Sequence, residues 1–388
     1  MSLSQQPPAA ALVFQTLLTQ GPLTRAELGR RTGLSSGAVT KVSTPLLADG
    51  WISEIGQPTG ERQPGRPATL VAVRADRARF IGVKVTADEL IGVLADLTAT
   101  PLATRRATLD SRDVGTVVRA IARLVGKLTA EGGGAHTAAE VHSVGVTISG
   151  DVDGHTGAVR YSPFLDWRGV QLAQLVETAT GIPTVIDNDV RALTVAEQWF
   201  GSGVGLSSFA LVTVGAGIGC GISVNGRVVT GAHGVSGEIA HLPVSGSDRV
   251  CTCGNTGCVE AVASAQAIVD QVRQDTGDRT LSLDDAVRLA HSGDPAARAV
   301  FTRAGRALGL AIASVANLFG PERVIISGEG VASYDLFADQ IRQSFTAQAF
   351  GTAADCDLVV RPLPFEAWAR GGAAVAAQRL FAPLAGGR

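Results

Sequence analysis

The chain of 388 residues is predicted to be an α/β protein, with an N-terminal winged helix-turn-helix and a two-lobed ribonuclease-H-like body. Three observations predict this fold class. Near the N-terminus, helical patterns separated by short turns are followed by two alternating strands. Beyond residue 77, strands and helices alternate, and a glycine-rich strand pair lies in the middle of that alternation.

The helix-turn-helix is predicted from the order of caps and breakers. Residues 8–20 form an apolar helix, and Thr24 is placed to cap a second helix that stops at Gly33. Ser35 or Ser36 then caps a third helix. A helix, a short glycine-containing turn and a second helix are the pattern of this motif.

The wing is predicted from residues 51–73. Alternating side chains at 51–55 and 68–73 indicate two strands, and the segment between them is rich in Gly, Pro and Arg. Pro45, just before these strands, is expected to kink or break the third helix. We place the whole winged module at residues 1–77.

The charge of this module favours a polyanionic partner. Residues 1–75 contain seven Lys and Arg against four acids, a net charge of +3, whereas the rest of the chain carries −5. In a winged helix the third helix enters the major groove of DNA, and the wing reaches the minor groove or phosphates. Contact with another protein is the alternative use. The candidate DNA contacts are Ser35, Ser36, Thr40, Lys41, Arg62 and Arg66.

The composition is that of a globular chain with an ample core, since 45% of its residues are hydrophobic and 18% are charged. We find no apolar run of the ~18 residues that a membrane span needs, and no charged-then-apolar signal pattern at the N-terminus. We therefore expect a cytoplasmic protein with no membrane partner. In that compartment thiols are metal ligands more often than disulfides.

Four side chains of the zinc-binding type fall within one short stretch, at His241, Cys251, Cys253 and Cys258. Zinc favours four N or S ligands in a tetrahedron, and a closed set of four is structural rather than catalytic. Glycines between the cysteines let the backbone wrap around a metal. The sequence therefore predicts a structural Zn²⁺ ion near Glu238 and Glu260, and ordinary buried cysteines in a tight turn are the alternative.

The body is divided into two lobes by its strand and helix patterns. We place the first lobe at residues 78–190 and the second, with the zinc site and an oligomerisation surface, at 191–369. A C-terminal helix at 370–388 is expected to complete the first lobe. Asp189 ends a predicted strand, which is where open α/β sheets place their ligands.

These residues and motifs give the chain a resemblance to the ROK family of repressors, open reading frames and sugar kinases. The resemblance covers essentially all 388 residues, and its most specific parts are Asn-Asp at 188–189, Gly-Glu-Ile-Ala-His at 237–241 and the cysteine cluster. Ala240 stands where the family has a glycine. The resemblance implies a two-lobed actin-like or ribonuclease-H-like sugar kinase fold for the body.

The resemblance also implies a sugar site made largely of carboxylates, each of which can accept hydrogen bonds from two hydroxyls. The residues that match the family's sugar contacts are Asn188, Asp189, Glu238, His241 and Glu260. Phe164 is a departure, because the family commonly has an asparagine there that touches the sugar. Phe164 could stack on an apolar sugar face, narrow the site or belong to the core.

The segment that would hold nucleotide phosphates also departs from the family's kinases. Those kinases carry Asp-x-Gly-Gly-Thr-Lys in the first hairpin, whereas residues 84–89 here read Lys-Val-Thr-Ala-Asp-Glu. A lysine replaces the aspartate associated with magnesium, and side chains replace both glycines. The second glycine-rich loop, residues 215–219, is intact. We predict that the ATP site is lost and that the chain is not an enzyme, although Asp189 matches the family's general base.

The sequence leads to the hypothesis of a sugar-responsive transcriptional regulator, most simply a repressor of carbohydrate-utilisation genes. Its partners would be a double-stranded DNA operator, a sugar effector and further copies of the chain, in a homodimer or homotetramer. Sugar would close the cleft between the lobes and change the spacing of two winged helices. Two alternatives stay open: an ATP-dependent sugar kinase with an attached DNA-binding module, and a regulator controlled by a partner protein.

Overall fold

The computed structural model describes four stretches of the chain, residues 6–56, 69–131, 141–244 and 246–380. By its contacts the chain divides into two compact units. Unit 1 consists of Met1–Gly205 and Trp368–Arg388, and unit 2 of Leu206–Ala367. The division does not fall at the expected 190/191 border, because that border lies inside a helix of unit 1.

The N-terminal module of unit 1 has three helices and a small antiparallel sheet. Its elements are α1 (Pro8–Gln20), β1 (Leu23–Thr24), α2 (Arg25–Thr32), α3 (Ser36–Ala48), β2 (Ile52–Ile55) and β3 (Leu70–Val73). Thr24 caps α2 as predicted, since its hydroxyl accepts a hydrogen bond from the Glu27 backbone N–H at 3.2 Å. The two predicted wing strands are present as β2 and β3, which pair antiparallel, whereas the segment between them, with Arg62 and Arg66, lies outside the described residues.

The third helix differs from the prediction at Pro45. Helix α3 runs on to Ala48, although Pro45 lies in its interior and supplies no backbone N–H. Helical bonding resumes at once, because the Pro45 carbonyl accepts from the Asp49 N–H at 2.9 Å. Pro45 is exposed, whereas Val39 and Leu46 of the same helix are buried. The expected break is therefore wrong, since packing of the buried face outweighs one missing hydrogen bond.

The body of unit 1 is built on a mixed sheet. Its elements up to residue 200 are β4 (Arg79–Val85), β5 (Glu89–Asp96), β6 (Pro101–Thr108), α4 (Val114–Glu131), β7 (Val141–Ile148), β8 (Asp151–Asp153), β9 (Ala158–Ser162), β10 (Trp167–Val170), α5 (Leu172–Thr180), β11 (Thr184–Asn188) and α6 (Asp189–Phe200). Five strands pair in the order β11-β7-β4-β5-β6, and β11, β7 and β4 are parallel. Their carboxyl ends therefore share one edge of the sheet. Strands β10, β9 and β8 form a small antiparallel sheet.

Unit 2 has a second five-stranded sheet and a helical layer. Its elements are β12 (Phe209–Val214), β13 (Ile218–Val224), β14 (Arg227–Val228), α7 (Glu260–Ala263), α8 (Ala265–Thr276), α9 (Leu283–Ser292), α10 (Pro295–Phe319), β15 (Arg323–Ser327), α11 (Ala338–Gln348) and β16 (Asp357–Val360). The strand order is β14-β13-β12-β15-β16. Among the described helices, α10 is long and apolar enough to span a membrane, but 67% of its most apolar stretch is buried inside the protein, as in a core helix.

The last helix, α12 (Glu366–Gln378), returns the chain to the sheet of unit 1. Gly82 of β4 and Gly145 of β7 are paired neighbours on that sheet. A Cβ atom added to Gly82 would lie 1.8 Å from the Ala369 carbonyl oxygen, and one added to Gly145 would lie 1.9 Å from that of Gly372. The backbone of α12 therefore rests directly on the sheet, and only glycine permits this approach.

Gly145→Ala should lower the free energy of unfolding by at least about 1–3 kcal/mol, because the new methyl group forces α12 off the sheet. Gly126→Ala is the matched control, since its Cβ would have no described neighbour within 4 Å in the exposed part of α4. That change should raise helix propensity by about 0.5–1 kcal/mol. Chemical denaturation measures both, and equal stabilities for the two variants would contradict the close packing of α12.

Candidate functional site

Asp189 was expected to end a strand; it is the first residue of α6, directly after the last residue of β11. It is buried, and its Oδ2 atom accepts hydrogen bonds from the Lys84 ammonium and from the Ser149 hydroxyl, the latter at 2.5 Å. Lys84 Nζ also donates to Ser149 Oγ at 3.2 Å. Oδ1 accepts from the Val190 N–H at 2.9 Å. The ends of three parallel strands thus meet in one buried polar cluster.

Lys84 determines the charge of this cluster. Burial alone would raise the pKa of Asp189, but the Lys84 ammonium and the Ser149 hydroxyl outweigh burial, so the pKa lies below its usual value. Asp189 is therefore ionised at neutral pH. A general base works best with a pKa near the operating pH. In this cluster Asp189 is suited to accepting hydrogen bonds and poorly suited to removing a proton.

Asn188 shapes the turn that carries Asp189. Its Oδ1 atom accepts from the N–H groups of Val190 at 3.0 Å and Arg191 at 3.2 Å, which caps α6. Its Nδ2 atom donates to the Gly150 carbonyl at 3.0 Å. Asn188, a predicted sugar contact, therefore also stabilises this turn. The bond to Gly150 uses one of its two amide hydrogens.

Arg191, in the first turn of α6, links the elements around Asp189. Its guanidinium is buried, donates through Nε to Asp187 Oδ1 at 2.7 Å, and donates through Nη2 to the Val152 carbonyl at 2.7 Å. Burial raises the pKa of Asp187, and the Arg191 charge opposes that shift without cancelling it. Arg191 thus joins the strand before Asp189 to β8 of the small sheet.

Phe164 lies in the turn between β9 and β10, and its side chain is 45% exposed. It is therefore not a core residue, which removes one of the three readings of this substitution. Its neighbours Leu165 and Trp167 are buried, and Trp167 Nε1 donates to the Arg112 carbonyl at 2.6 Å. Leu165 and Trp167 therefore hold the β9–β10 turn in place, and the Phe164 ring beside them stays accessible.

The β4–β5 turn, where the kinases bind phosphate, is closed by its own side chains. The Thr86 hydroxyl accepts from the Glu89 N–H at 3.0 Å and makes a 3.0 Å hydrogen bond with Asp88 Oδ1. The Thr86 N–H donates to the Glu89 carbonyl at 3.0 Å. The backbone donor and the hydroxyl of Thr86 are thus occupied within the turn.

In unit 2 the four predicted metal ligands come together. The ligand atoms of His241, Cys251, Cys253 and Cys258 all lie within 4.8 Å of one another. His241 belongs to a short 3-10 turn, Ile239–His241, and Cys258 precedes α7. Gly237, with φ of +79°, lets this segment pack on β13, because a Cβ there would lie 2.1 Å from the Cys220 carbonyl oxygen.

The donor set and its spacing fit a tetrahedral ion. With Zn–S near 2.3 Å and Zn–N near 2.05 Å, the edges of a tetrahedron are about 3.8 Å between sulfurs and about 3.5 Å from sulfur to nitrogen. Cys253 Sγ and Cys258 Sγ are 3.7 Å apart, and Cys251 Sγ and His241 Nδ1 are 3.6 Å apart. Burial and the neighbouring thiols raise the pKa of Cys258 to about 12. A bound cation would stabilise the thiolate forms of the three cysteines.

The two acids near this cluster have different surroundings. Glu260 begins α7 and is half-buried; its Oε1 atom lies 3.5 Å from the Thr252 hydroxyl, and its Oε2 atom accepts from the Ile218 N–H at 3.3 Å. It therefore links the cysteine loop to the start of β13. Glu238 is exposed. Burial of the Cys220 thiol raises its pKa to about 12, and the negative charge of Glu238 adds to that shift.

The candidate DNA contacts of α3 lie on one accessible side of the helix. The exposed polar residues of its cap and first turns are Ser35, Ser36, Thr40, Lys41 and Thr44. The Ser35 hydroxyl accepts from the Ala38 N–H at 3.3 Å, so it caps the helix. Thr44, one turn after Thr40, is a further exposed residue of this side and was not among the predicted DNA contacts. A break at Pro45 would have ended the helix next to it.

Sequence reasoning also missed Lys84 and Ser149 as partners of Asp189. Lys84 lies 105 positions before Asp189 and Ser149 lies 40 before it, so their meeting depends on strand pairing. The usable signal was a lysine inside the otherwise apolar strand β4, because a buried charge requires a partner.

Lys84→Met should lower the free energy of unfolding by about 3–5 kcal/mol at neutral pH, because it leaves Asp189 buried without its partner. Since the pKa of Asp189 is lowered, the pair stabilises the fold above pH 3.8, the ordinary value of the carboxyl, and this contribution is lost as the pH falls through the lower folded value. The difference between variant and wild type should therefore shrink in acid.

The double variant Lys84→Met with Asp189→Asn is the control, because it removes both charges and should recover part of the loss. Urea denaturation at several pH values measures all three proteins. A Lys84→Met protein as stable as the wild type would show that the pair contributes nothing.

Comparison with known proteins identifies relatives over most of the chain. The family model described as the ROK family matches residues 80–379. A xylose repressor of Caldicellulosiruptor bescii is 26% identical over 352 residues, covering 87% of this chain and 87% of that protein. The DNA-binding transcriptional dual regulator NagC of Escherichia coli is 29% identical over 349 residues, covering 88% of this chain and 85% of NagC.

Solved structures agree with the same assignment. A ROK family transcriptional regulator, a homologue of the E. coli MLC protein, superposes with a TM-score of 0.80 at 28% identity, covering 96% of both chains. A ROK family glucokinase from Streptomyces griseus, in complex with glucose and AMPPNP, gives a TM-score of 0.67 at 27% identity, covering 78% of this chain and 100% of the kinase. These matches confirm the predicted fold class, and the chain belongs to the ROK family.

Proposed function

We propose that the protein is a sugar-responsive transcriptional regulator, most simply a repressor, whose kinase-like body binds a sugar without phosphorylating it. The observation that carries the proposal is the buried ion pair of Lys84 with Asp189. The relatives named as repressors, and the similarity to a ROK transcriptional regulator along the whole chain, support the regulatory half.

The ion pair argues against phosphoryl transfer in two ways. It lowers the pKa of the carboxylate that would serve as base, so proton removal from a sugar hydroxyl is disfavoured. It also places an ammonium where the family's kinases have the aspartate associated with magnesium. Since two cations repel, the Lys84 charge disfavours a metal ion and its nucleotide.

A sugar can still be held by the predicted residues. We propose that the sugar ligands are the residues predicted from the sequence, Asn188, Asp189, Glu238, His241 and Glu260. Ionised carboxylates are acceptors only, and sugar hydroxyls are the donors that they require.

The N-terminal module is in contact with the helix that begins at Asp189. Helix α1 packs against α6, both within unit 1. The segment between β3 and β4 makes two further contacts. The Leu97 N–H donates to the Ala75 carbonyl at 3.0 Å, and the Arg77 guanidinium lies 4.7 Å from the centre of the Trp51 ring. A sugar that prefers one position of α6 would therefore shift α1 and the attached α3, with coupling of typically about 1–3 kcal/mol.

We further propose that the protein binds double-stranded DNA as a homodimer or homotetramer, because helix-turn-helix proteins read paired half-sites at fixed spacing. The kinase with an attached DNA-binding module is the second candidate, favoured by the likeness to the glucokinase. The two candidates differ in one property, since only a kinase consumes ATP when its sugar is present.

Fluorescence anisotropy should show tight binding to DNA from upstream of the protein's own gene, and one sugar from a panel of pentoses, hexoses and amino sugars should change that binding. Asp189→Asn, made together with Lys84→Met so that no buried charge is left unpaired, should keep the operator affinity and lose the response to sugar. Asp110→Asn, at an exposed acid of the same unit, is the control and should respond normally. No ATP should be consumed with the active sugar.

Each outcome of this experiment is decisive. Operator binding that no sugar alters would overturn the sugar response and favour control by a partner protein. Turnover of Mg-ATP with the active sugar would establish the kinase instead. A normal response in the double variant Lys84→Met with Asp189→Asn would remove Asp189 from the sugar site.

The Cys/His cluster is proposed to hold a structural Zn²⁺ ion. An ion bound by all four ligands would fix the cysteine loop, and through Thr252 that loop contacts Glu260. In this role the metal supplies folding energy and no chemistry.

Cys253→Ser should lose bound zinc, from about one ion per chain, and should weaken the response to sugar while keeping operator binding. Cys356→Ser is the matched control, because Cys356 lies in the same unit away from the cluster and should leave the zinc content unchanged. Atomic absorption measures the metal. A full sugar response from a metal-free Cys253→Ser protein would refute the structural role of zinc.

A further inference from the structure

The glycine-rich hairpin of unit 2, which the sequence describes as an intact phosphate-type loop, already has an anion on it. Gly215, Ala216 and Gly217 join β12 to β13. Backbone N–H groups in such loops bind phosphate because they point together at one position. Here the Ala216 N–H donates to the carboxylate oxygen Oε1 of Glu329 at 3.0 Å.

Two glycines bring Glu329 to this position. The turn of Gly328, Glu329 and Gly330 follows β15, which is the parallel neighbour of β12. A Cβ on Gly328 would lie 2.5 Å from the Val214 carbonyl oxygen, and one on Gly330 would lie 2.9 Å from the same atom. The turn can therefore lie against the end of β12 only because both residues lack side chains.

The carboxylate fills the space next to the hairpin as well as bonding to it. A Cβ added to Gly215 would lie 2.3 Å from the Glu329 carboxyl carbon. That carbon therefore occupies the space which the missing side chain of Gly215 leaves open. A phosphate approaching the same backbone would meet the carboxylate first.

A second carboxylate, that of Glu260, bonds to the hairpin two residues further along the chain. The Ile218 N–H donates to Glu260 Oε2 at 3.3 Å, and a Cβ added to Gly217 would lie 3.2 Å from that oxygen. Two negative charges of the same unit thus occupy backbone donors on either side of Gly217. The two carboxylates would repel the negative charges of a polyphosphate at this loop, so such a ligand is disfavoured by charge as well as by lack of space.

We propose that Glu329 is a built-in anion that occupies the phosphate position of the hairpin and excludes polyphosphate ligands from unit 2. The inference deepens the proposed function, and rests on it in taking the hairpin as the remnant of a nucleotide site. Glu329 is an exposed residue, so it can be replaced without opening the core.

Calorimetric titration of the full chain with sodium tripolyphosphate tests this proposal. Glu329→Ala frees the Ala216 N–H and removes one negative charge, and should bind tripolyphosphate at least about tenfold more tightly than the wild type, the scale of one charge-assisted hydrogen bond. Glu322→Ala is the matched control. The exposed Glu322 carboxylate also accepts hydrogen bonds from backbone N–H groups of unit 2, from Ser207 at 2.7 Å and from Ser208 at 3.2 Å. These donors belong to a different loop from the hairpin.

A gain in Glu329→Ala alone supports the proposal, whereas no gain, or an equal gain in Glu322→Ala, overturns it. Circular dichroism checks that the variants are folded. If Glu329→Ala is not folded, Glu329→Gln keeps an acceptor for Ala216 and should show a smaller gain in the same direction; no gain there overturns the proposal. The tripolyphosphate titration contains no DNA and no sugar, so its result does not depend on the anisotropy experiment. A failed sugar response in that other experiment would count against the proposed function and not against the role of Glu329.

Discussion

The ion pair of Lys84 with Asp189 joins the ends of β4 and β11, and Ser149 adds the end of β7. Neither charge reaches bulk water, so each needs the other, and the three strand ends and the first turn of α6 are held in one arrangement. The same contact determines the chemistry, because a paired carboxylate accepts hydrogen bonds but is a weak base. Structure and hydrogen bonding at this edge of the sheet therefore depend on the same residue, Lys84.

We propose that each unit by itself disfavours one part of a magnesium–nucleotide complex. The Lys84 ammonium of unit 1 repels a metal ion, and Glu329 of unit 2 occupies a backbone donor that would suit phosphate. The fold itself is that of the kinases, as the likeness to the glucokinase shows. On this proposal, a few side chains suffice to lose a nucleotide ligand while the sheets, the helices and their packing stay in place.

Local patterns could be predicted from the sequence, and contacts between distant residues could not. The caps of α2 and α3 and the assembly of the Cys/His cluster depend on residues close in sequence, so spacing was sufficient. Ala216 and Glu329 are 113 positions apart, and only the parallel pairing of β12 with β15 brings them together. Pro45 shows a third case, in which the local rule holds but packing outweighs it. The sugar and DNA contacts stay predictions.

The discontinuity of unit 1 has a consequence for synthesis on the ribosome. The N-terminal module and the sheet of unit 1 emerge first, but the helix that covers Gly82 and Gly145 is made only after the whole of unit 2. Until then the strands around Gly82 and Gly145 lack the helix that packs on them, and the exposed apolar surface is of the kind that chaperones and proteases recognise. A chain interrupted before α12 would therefore expose this surface, although its N-terminal module has already been made. The position of α12 thus makes a fully packed unit 1 depend on synthesis of the whole of unit 2.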